Sequence, residues 1–140
     1  MKKRVAWVCI ALLCTVVYMI LGSGCAMVSE ERVKMKDLEF TILSEEVIPE
    51  ELKSIIDEKK ADNFKLTYSD NDYLYICIGY GEQGTGGYSI AVNELYLSKD
   101  AIYVNTELLE PKTEAGQSTA PSTPYIVIKI EKLDETVIFE

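Results

Sequence analysis

From Phe64 onward the chain alternates apolar and polar residues with a period of two, interrupted at intervals by turn-forming residues. Successive side chains of a strand point to opposite faces, so this period predicts half-buried strands over residues 64–68, 73–80, 88–97, 102–108 and 125–130. Ser69-Asp70-Asn71-Asp72 separates the first two runs and reads as a hairpin turn. In the run 88–97, Tyr88, Ile90 and Val92 share one phase while Leu95 and Leu97 share the other, which predicts a bulge near Asn93-Glu94. Residues 38–43 read as a first strand and residues 136–139 as a short edge strand.

One stretch, at about residues 49–60, keeps a convincing helical period. Pro49 suits its first turn, Glu50 and Glu51 sit at the positive end of the helix dipole, and Lys59 and Lys60 sit at the negative end. Leu52, Ile55 and Ile56 follow the i, i+3, i+4 spacing of an apolar stripe, which predicts packing on a sheet. Strands and one helix without βαβ alternation predict an α+β, mainly β domain: an antiparallel sheet or small sandwich of six to seven strands with one early helix.

Five of the eight glycines fall within residues 79–87, between two of these strands. Gly79, Gly81 and Gly84 spell G-x-G-x-x-G, but a dinucleotide site needs a helix directly after the glycines, whose free amides hold the pyrophosphate. Here Thr85-Gly86-Gly87-Tyr88-Ser89-Ile90 leads into a strand, which excludes that chemistry. No Gly-Lys-Ser/Thr loop occurs, and neither an H-R-D nor a D-F-G set is present. Two readings remain. In one, Gly81, Gly84, Gly86 and Gly87 supply positive φ for a wide hairpin or crossover. In the other, the exposed backbone between Tyr80 and Tyr88 docks another chain.

The N-terminal composition changes the setting. Lys2-Lys3-Arg4 is followed by an uncharged run over residues 5–21 and by Gly22-Ser23-Gly24-Cys25. A cationic start, an apolar run and small residues form an export signal; the alternative is a plain membrane anchor of about 20 apolar residues. Leu21-Gly22-Ser23-Gly24-Cys25 resembles the lipobox of bacterial lipoproteins, although Gly22 stands where Leu is usual. The resemblance implies that Cys25 is acylated and becomes the first residue of the mature chain, on the extracytoplasmic face of the cell membrane. Residues 1–24 are then the signal, 25–37 a charged tether and 38–140 the domain. Without the signal, 11 Lys and Arg face 23 Asp and Glu, a balance that repels nucleic acid and anionic headgroups. Cys77 is left without a cysteine partner in the domain and reads as a small buried hydrophobe.

Gly79-Tyr80-Gly81, the segment Thr85-Gly86-Gly87-Tyr88-Ser89-Ile90 and the later Ser122-Thr123-Pro124-Tyr125-Ile126-Val127-Ile128 together resemble the C-terminal domain of the protease-complex subunit PrcB family, over about residues 46–130. That family places a T-G-G-Y-S segment after a strand and an S/T-P-Y segment before the closing strand, and its members are often lipoproteins. The resemblance implies a non-catalytic protein-binding subunit that assists assembly or stability of an exported protease. The surface it implies is built from Tyr80, Thr85, Gly86, Gly87, Tyr88, Ser89, Pro124 and Tyr125.

The inventory of reactive groups argues against catalysis. The chain contains no histidine, which removes Ser-His and Cys-His pairs and the commonest metal ligand. Asp70-Asn71-Asp72 resembles half a calcium loop, but the later Gly and Glu are missing and a turn explains it. Glu30-Glu31, Glu45-Glu46 and Glu50-Glu51 read as solvated charge. No catalytic residue, metal ligand or cofactor is expected. Two further functions remain compatible with these residues: a protease inhibitor presenting the Pro- and Ser/Thr-rich loop 110–124, and a small-ligand or cation-binding lipoprotein using the acidic surface.

Overall fold

In a computed structural model, residues 33–112 and 119–140 are described, all within the compact unit Arg32–Glu140. The signal-like segment 1–24, Cys25, most of the expected tether and the middle of the loop 110–124 lie outside the described residues.

Alternation of side chains along two central strands organises the fold. In β4 (Tyr73–Tyr80) and β7 (Tyr125–Glu131), which pair antiparallel, both faces are apolar. The even-numbered residues Leu74, Ile76, Ile78, Ile126, Ile128 and Ile130 join Leu95, Ile102 and Val104 of a second sheet in one buried cluster. The odd-numbered Tyr75, Cys77 and Val127 turn the other way and are covered by Ile48, Leu52 and Ile56. A strand buried on both faces reads as a continuous apolar run, as YLYICIGY does.

The result is a sandwich of two four-stranded sheets with a helix on one outer face. One sheet has the order β1-β5-β6-β8, formed by Lys34–Asp37, Ser89–Ser98, Ala101–Leu109 and Thr136–Phe139. The other has the order β2-β7-β4-β3, with β2 at Thr41–Ile42 and β3 at Asn63–Ser69. Helix α1, Glu50–Lys59, follows a short 3-10 turn at Glu45–Val47 and buries Leu52 and Ile56 completely on the second sheet, with Ile55 half-buried beside them. The helix and its amphipathic stripe therefore lie where the spacing predicts.

The expected bulge is present: the β5–β6 register shifts between Val92 and Glu94, so that Ile90, Val92, Leu95 and Leu97 all turn inward. At the first hairpin, the Asp70 carboxylate accepts the amides of Asp72 and Tyr73 at 2.9 and 2.8 Å and the Tyr75 hydroxyl at 2.9 Å. These bonds close the turn and leave Asp70 with no need of a cation. The two amides, with Tyr75, hold its carboxyl below the ordinary range.

Three expectations need correction. The segment 34–37 is not tether; it pairs with β5 even though all four side chains are exposed, because the backbone ladder holds it. Residues 38–43 do not form one strand: the chain leaves the first sheet after Asp37 and joins the second only at Thr41–Ile42. Among the described residues eight strands are present where six to seven are expected, and β8 lies parallel to β6 while the other pairings of these strands are antiparallel. The outer strand β3 turns exposed Lys65 and Thr67 to the face on which β4 carries Ile78 and Ile76, and inward charge on an edge opposes pairing with other chains.

Candidate functional site

The glycine-rich segment is a crossing between the sheets. It carries the chain from the end of β4 in one sheet to the start of β5 in the other, across one end of the sandwich. The S/T-P-Y segment enters β7 at the same end, so the two sequence motifs meet. The Tyr80 amide donates to the Pro124 carbonyl at 3.1 Å. Gln83 and Ser122 exchange both backbone bonds, at 2.7 and 3.0 Å, and form an isolated antiparallel bridge. The Ser122 hydroxyl donates to the Thr85 carbonyl at 2.7 Å, and the Gln83 side-chain amide donates to the Tyr80 carbonyl at 3.0 Å. A third segment joins them, since the Glu82 amide donates to the carbonyl of Ala61 just after the helix.

Glycine chemistry here differs from the expectation. Only Gly81 and Gly87 have positive φ, at 72° and 88°; Gly84 and Gly86 do not. Gly84 is exposed with open space about its α-carbon, and Gly86 is buried. Gly79 serves yet another purpose: a methyl group there would run into the ring of Phe64 on the neighbouring strand.

Of the residues proposed for contact, the two strand-end tyrosines act within the fold. Tyr80 packs against the inter-sheet cluster, and its hydroxyl lies 2.8 Å from the Thr106 hydroxyl of β6, which ties the two sheets together. Tyr125 faces the helix side and donates to the Glu45 carboxylate at 2.9 Å. Burial, followed by that bond, pushes the Tyr125 phenol up to about 12. Thr85 and Pro124 are half-buried and contribute their carbonyls to the staple. The accessible groups of the crossing are Glu82, Gly84, Gly87 and Ser89, with Tyr88 half-exposed between the last two. Gln83 was missed by sequence reading, and no local periodicity marks a single bridge between segments 39 positions apart.

Cys77 is fully buried, and burial pushes its thiol up to about 12, which suits packing and not nucleophilic attack. Among the described residues, no group of three potential ligands could hold a metal ion. No helix among them is long and apolar enough to cross a membrane.

A sandwich whose sheet-to-sheet crossing presents backbone and small side chains, stapled to a second loop, defines a small β module with an exposed loop surface at one end. Residues 74–131, from β4 through the crossing to the last residue of β7, match the family model described as PrcB C-terminal, the family that the motifs resemble. The matched residues are fewer than the resemblance suggests: helix α1 and β3 precede them. No curated protein and no solved structure matches the chain.

Proposed function

We propose that this protein is a non-catalytic, protein-binding subunit that assists the assembly or stability of an exported protease, held at the extracytoplasmic face of the cell membrane by lipid on Cys25. The observation that carries the reading is the match of residues 74–131 to the PrcB C-terminal model, because those residues include both stapled segments at the crossing. The geometry supports binding in preference to chemistry. The crossing is held by its own hydrogen bonds, so a partner meets a preorganised loop and little ordering entropy is lost on contact. Glu82, Gly84, Tyr88 and Ser89 are the groups it offers.

Affinity capture of the tagged full-length chain from membranes of the cells that make it tests the reading. An exported protease should be captured with the native chain and lost with Gly84→Arg, which adds bulk where the fold has room. Repeated capture without any protease would count against the proposal. Anchoring is checked separately: fatty-acid label should enter the native chain and not Cys25→Ser, and equal labelling of both would exclude the lipid on Cys25.

A further inference from the structure

One edge of the first sheet is occupied over only half its length. β8 pairs with β6 from Ala101 to Val104, while β6 runs on beside β5 to Leu109. A strand residue sends its amide and carbonyl to one edge, and the next residue sends its own to the other. The Val104 carbonyl accepts the Glu140 amide on the β8 side, so Thr106 and Leu108 present their backbone groups to that same side. Leu95, opposite Val104, agrees with this phase, because its carbonyl turns away from β6 and accepts the Leu38 amide. Among the described residues, no backbone group pairs with Thr106 or Leu108 on the β8 side.

Beside this unpaired run a cleft of about 530 Å³ reaches from Thr106 to the paired ends of β3 and β4, where Phe64, Ile78 and Tyr80 line it. Unpaired amides and carbonyls at alternate residues call for an extended backbone, and β8 shows how such a backbone sits on this edge. Its alternate residues Val137 and Phe139 pack on the inter-sheet cluster, and Thr136 and Ile138 between them are exposed. A strand further along the same edge continues that alternation, so its inward side chains enter the cleft over Ile78 and Tyr80. Lys65 also lines the cleft; its ammonium lies 5.8 Å from the centre of the Phe139 ring, and its aliphatic stem offers further apolar surface. The remaining edges suit a visiting strand less. β2 has two residues, β1 is irregular in register, and β3 carries Lys65 and Thr67 on its inward side.

We propose that the free edge of β6 at Thr106 and Leu108 receives an extended segment of another protein as an added strand, with apolar side chains at alternate positions entering the cleft. Main-chain bonds to β6 hold such a segment, and the cleft selects its inward side chains. The inference goes beyond the proposed function, because it rests on the β6 edge and does not require that the partner be a protease.

The test is residue-resolved amide exchange of the full-length chain in zwitterionic detergent, with capped heptapeptides as probes. One alternates Ser and Val, one is all Ser, and one is the Ser-Val peptide with every amide N-methylated. The Ser-Val peptide should slow exchange at Thr106 and Leu108 by about tenfold or more, as new main-chain bonds do, and the other two should not. Leu108→Pro removes one edge donor, and proline is tolerated on a strand edge whose amide faces solvent. Asn63→Trp fills the cleft from an exposed position and leaves the edge intact. Each should weaken binding of the Ser-Val peptide by about tenfold, and a melting curve of each shows that the fold is kept. Unchanged exchange at Thr106 and Leu108 would overturn the proposal, as would equal slowing by the N-methylated peptide or equal binding by folded Asn63→Trp. Slowing that grows with the concentration of the chain alone would also overturn it, because a second copy would then be the occupant.

Discussion

The glycines at positions 79, 84 and 87 stand within nine residues of each other and are held to three different requirements. Gly87, at φ 88°, lies where a side chain clashes with its own backbone, so Gly87→Val should lower stability by about 1–2 kcal/mol in a denaturant titration. Gly84 meets neither obstacle, and Gly84→Val should stay within about 0.5 kcal/mol of the native chain. Gly79 is constrained by a neighbour: Gly79→Ala overpacks against Phe64 and should cost about 1–3 kcal/mol. Adding Phe64→Leu should then recover part of that loss, and a double-mutant cycle with no coupling would contradict the assigned contact. That glycines gather between two strands is legible in the sequence. Which of them needs positive φ is not, because that depends on where the crossing touches Ala61 and Ser122, residues far away in the chain.

Helix α1 shows how far periodicity reaches at the level of an element. Leu52 and Ile56 are spaced to share a face, and that face is buried on the second sheet. Ile56→Ala should therefore cost about 2–5 kcal/mol in chemical denaturation, and Ile55→Ala, at a half-buried position, should cost clearly less. The reverse order would mean that the helix is rotated about its axis. The bulge was equally legible, since the inward set changes phase between Val92 and Leu95 and the register shifts at that place. Strand β1 was not, and β2 was legible only as part of a longer run. Lys34–Asp37 carries four exposed side chains and is held by backbone bonds to β5, so alternation carries no sign of it. Residues 38–43 look like one strand because their composition suits either sheet, and composition does not say where a chain changes sheets. The candidate site was legible as two motifs, and the staple that joins them appeared only with the fold.

For the whole molecule, the outer face of the second sheet couples stability to alkaline pH. Burial and then the bond to Asp70 push Tyr75 up to about 12, and burial and then the bond to Glu45 push Tyr125 to about 12, against 10.0 for a free phenol. Both groups thus hold their protons more tightly in the folded chain. Their contribution is fully present below pH 10 and is lost as pH rises toward 12, when the unfolded chain ionises first. Thermal melts should show a falling midpoint across that window, and Tyr125→Phe should make the fall shallower. An unchanged slope in the variant would show that Tyr125 is not one of the responsible groups.

Assembly is a property of the whole molecule as well, and the protease role is what most needs testing. Binding only the folded partner stabilises it by an amount that grows with the logarithm of the free concentration of the chain relative to Kd, whereas an inhibitor would suppress its turnover. The decisive measurement is the half-life of peptidase activity of the captured protease at a fixed temperature, with the full-length chain present and absent. The account predicts a longer half-life with the chain and an initial rate that does not fall. An unchanged half-life, or an initial rate that drops as the chain is added, would contradict it.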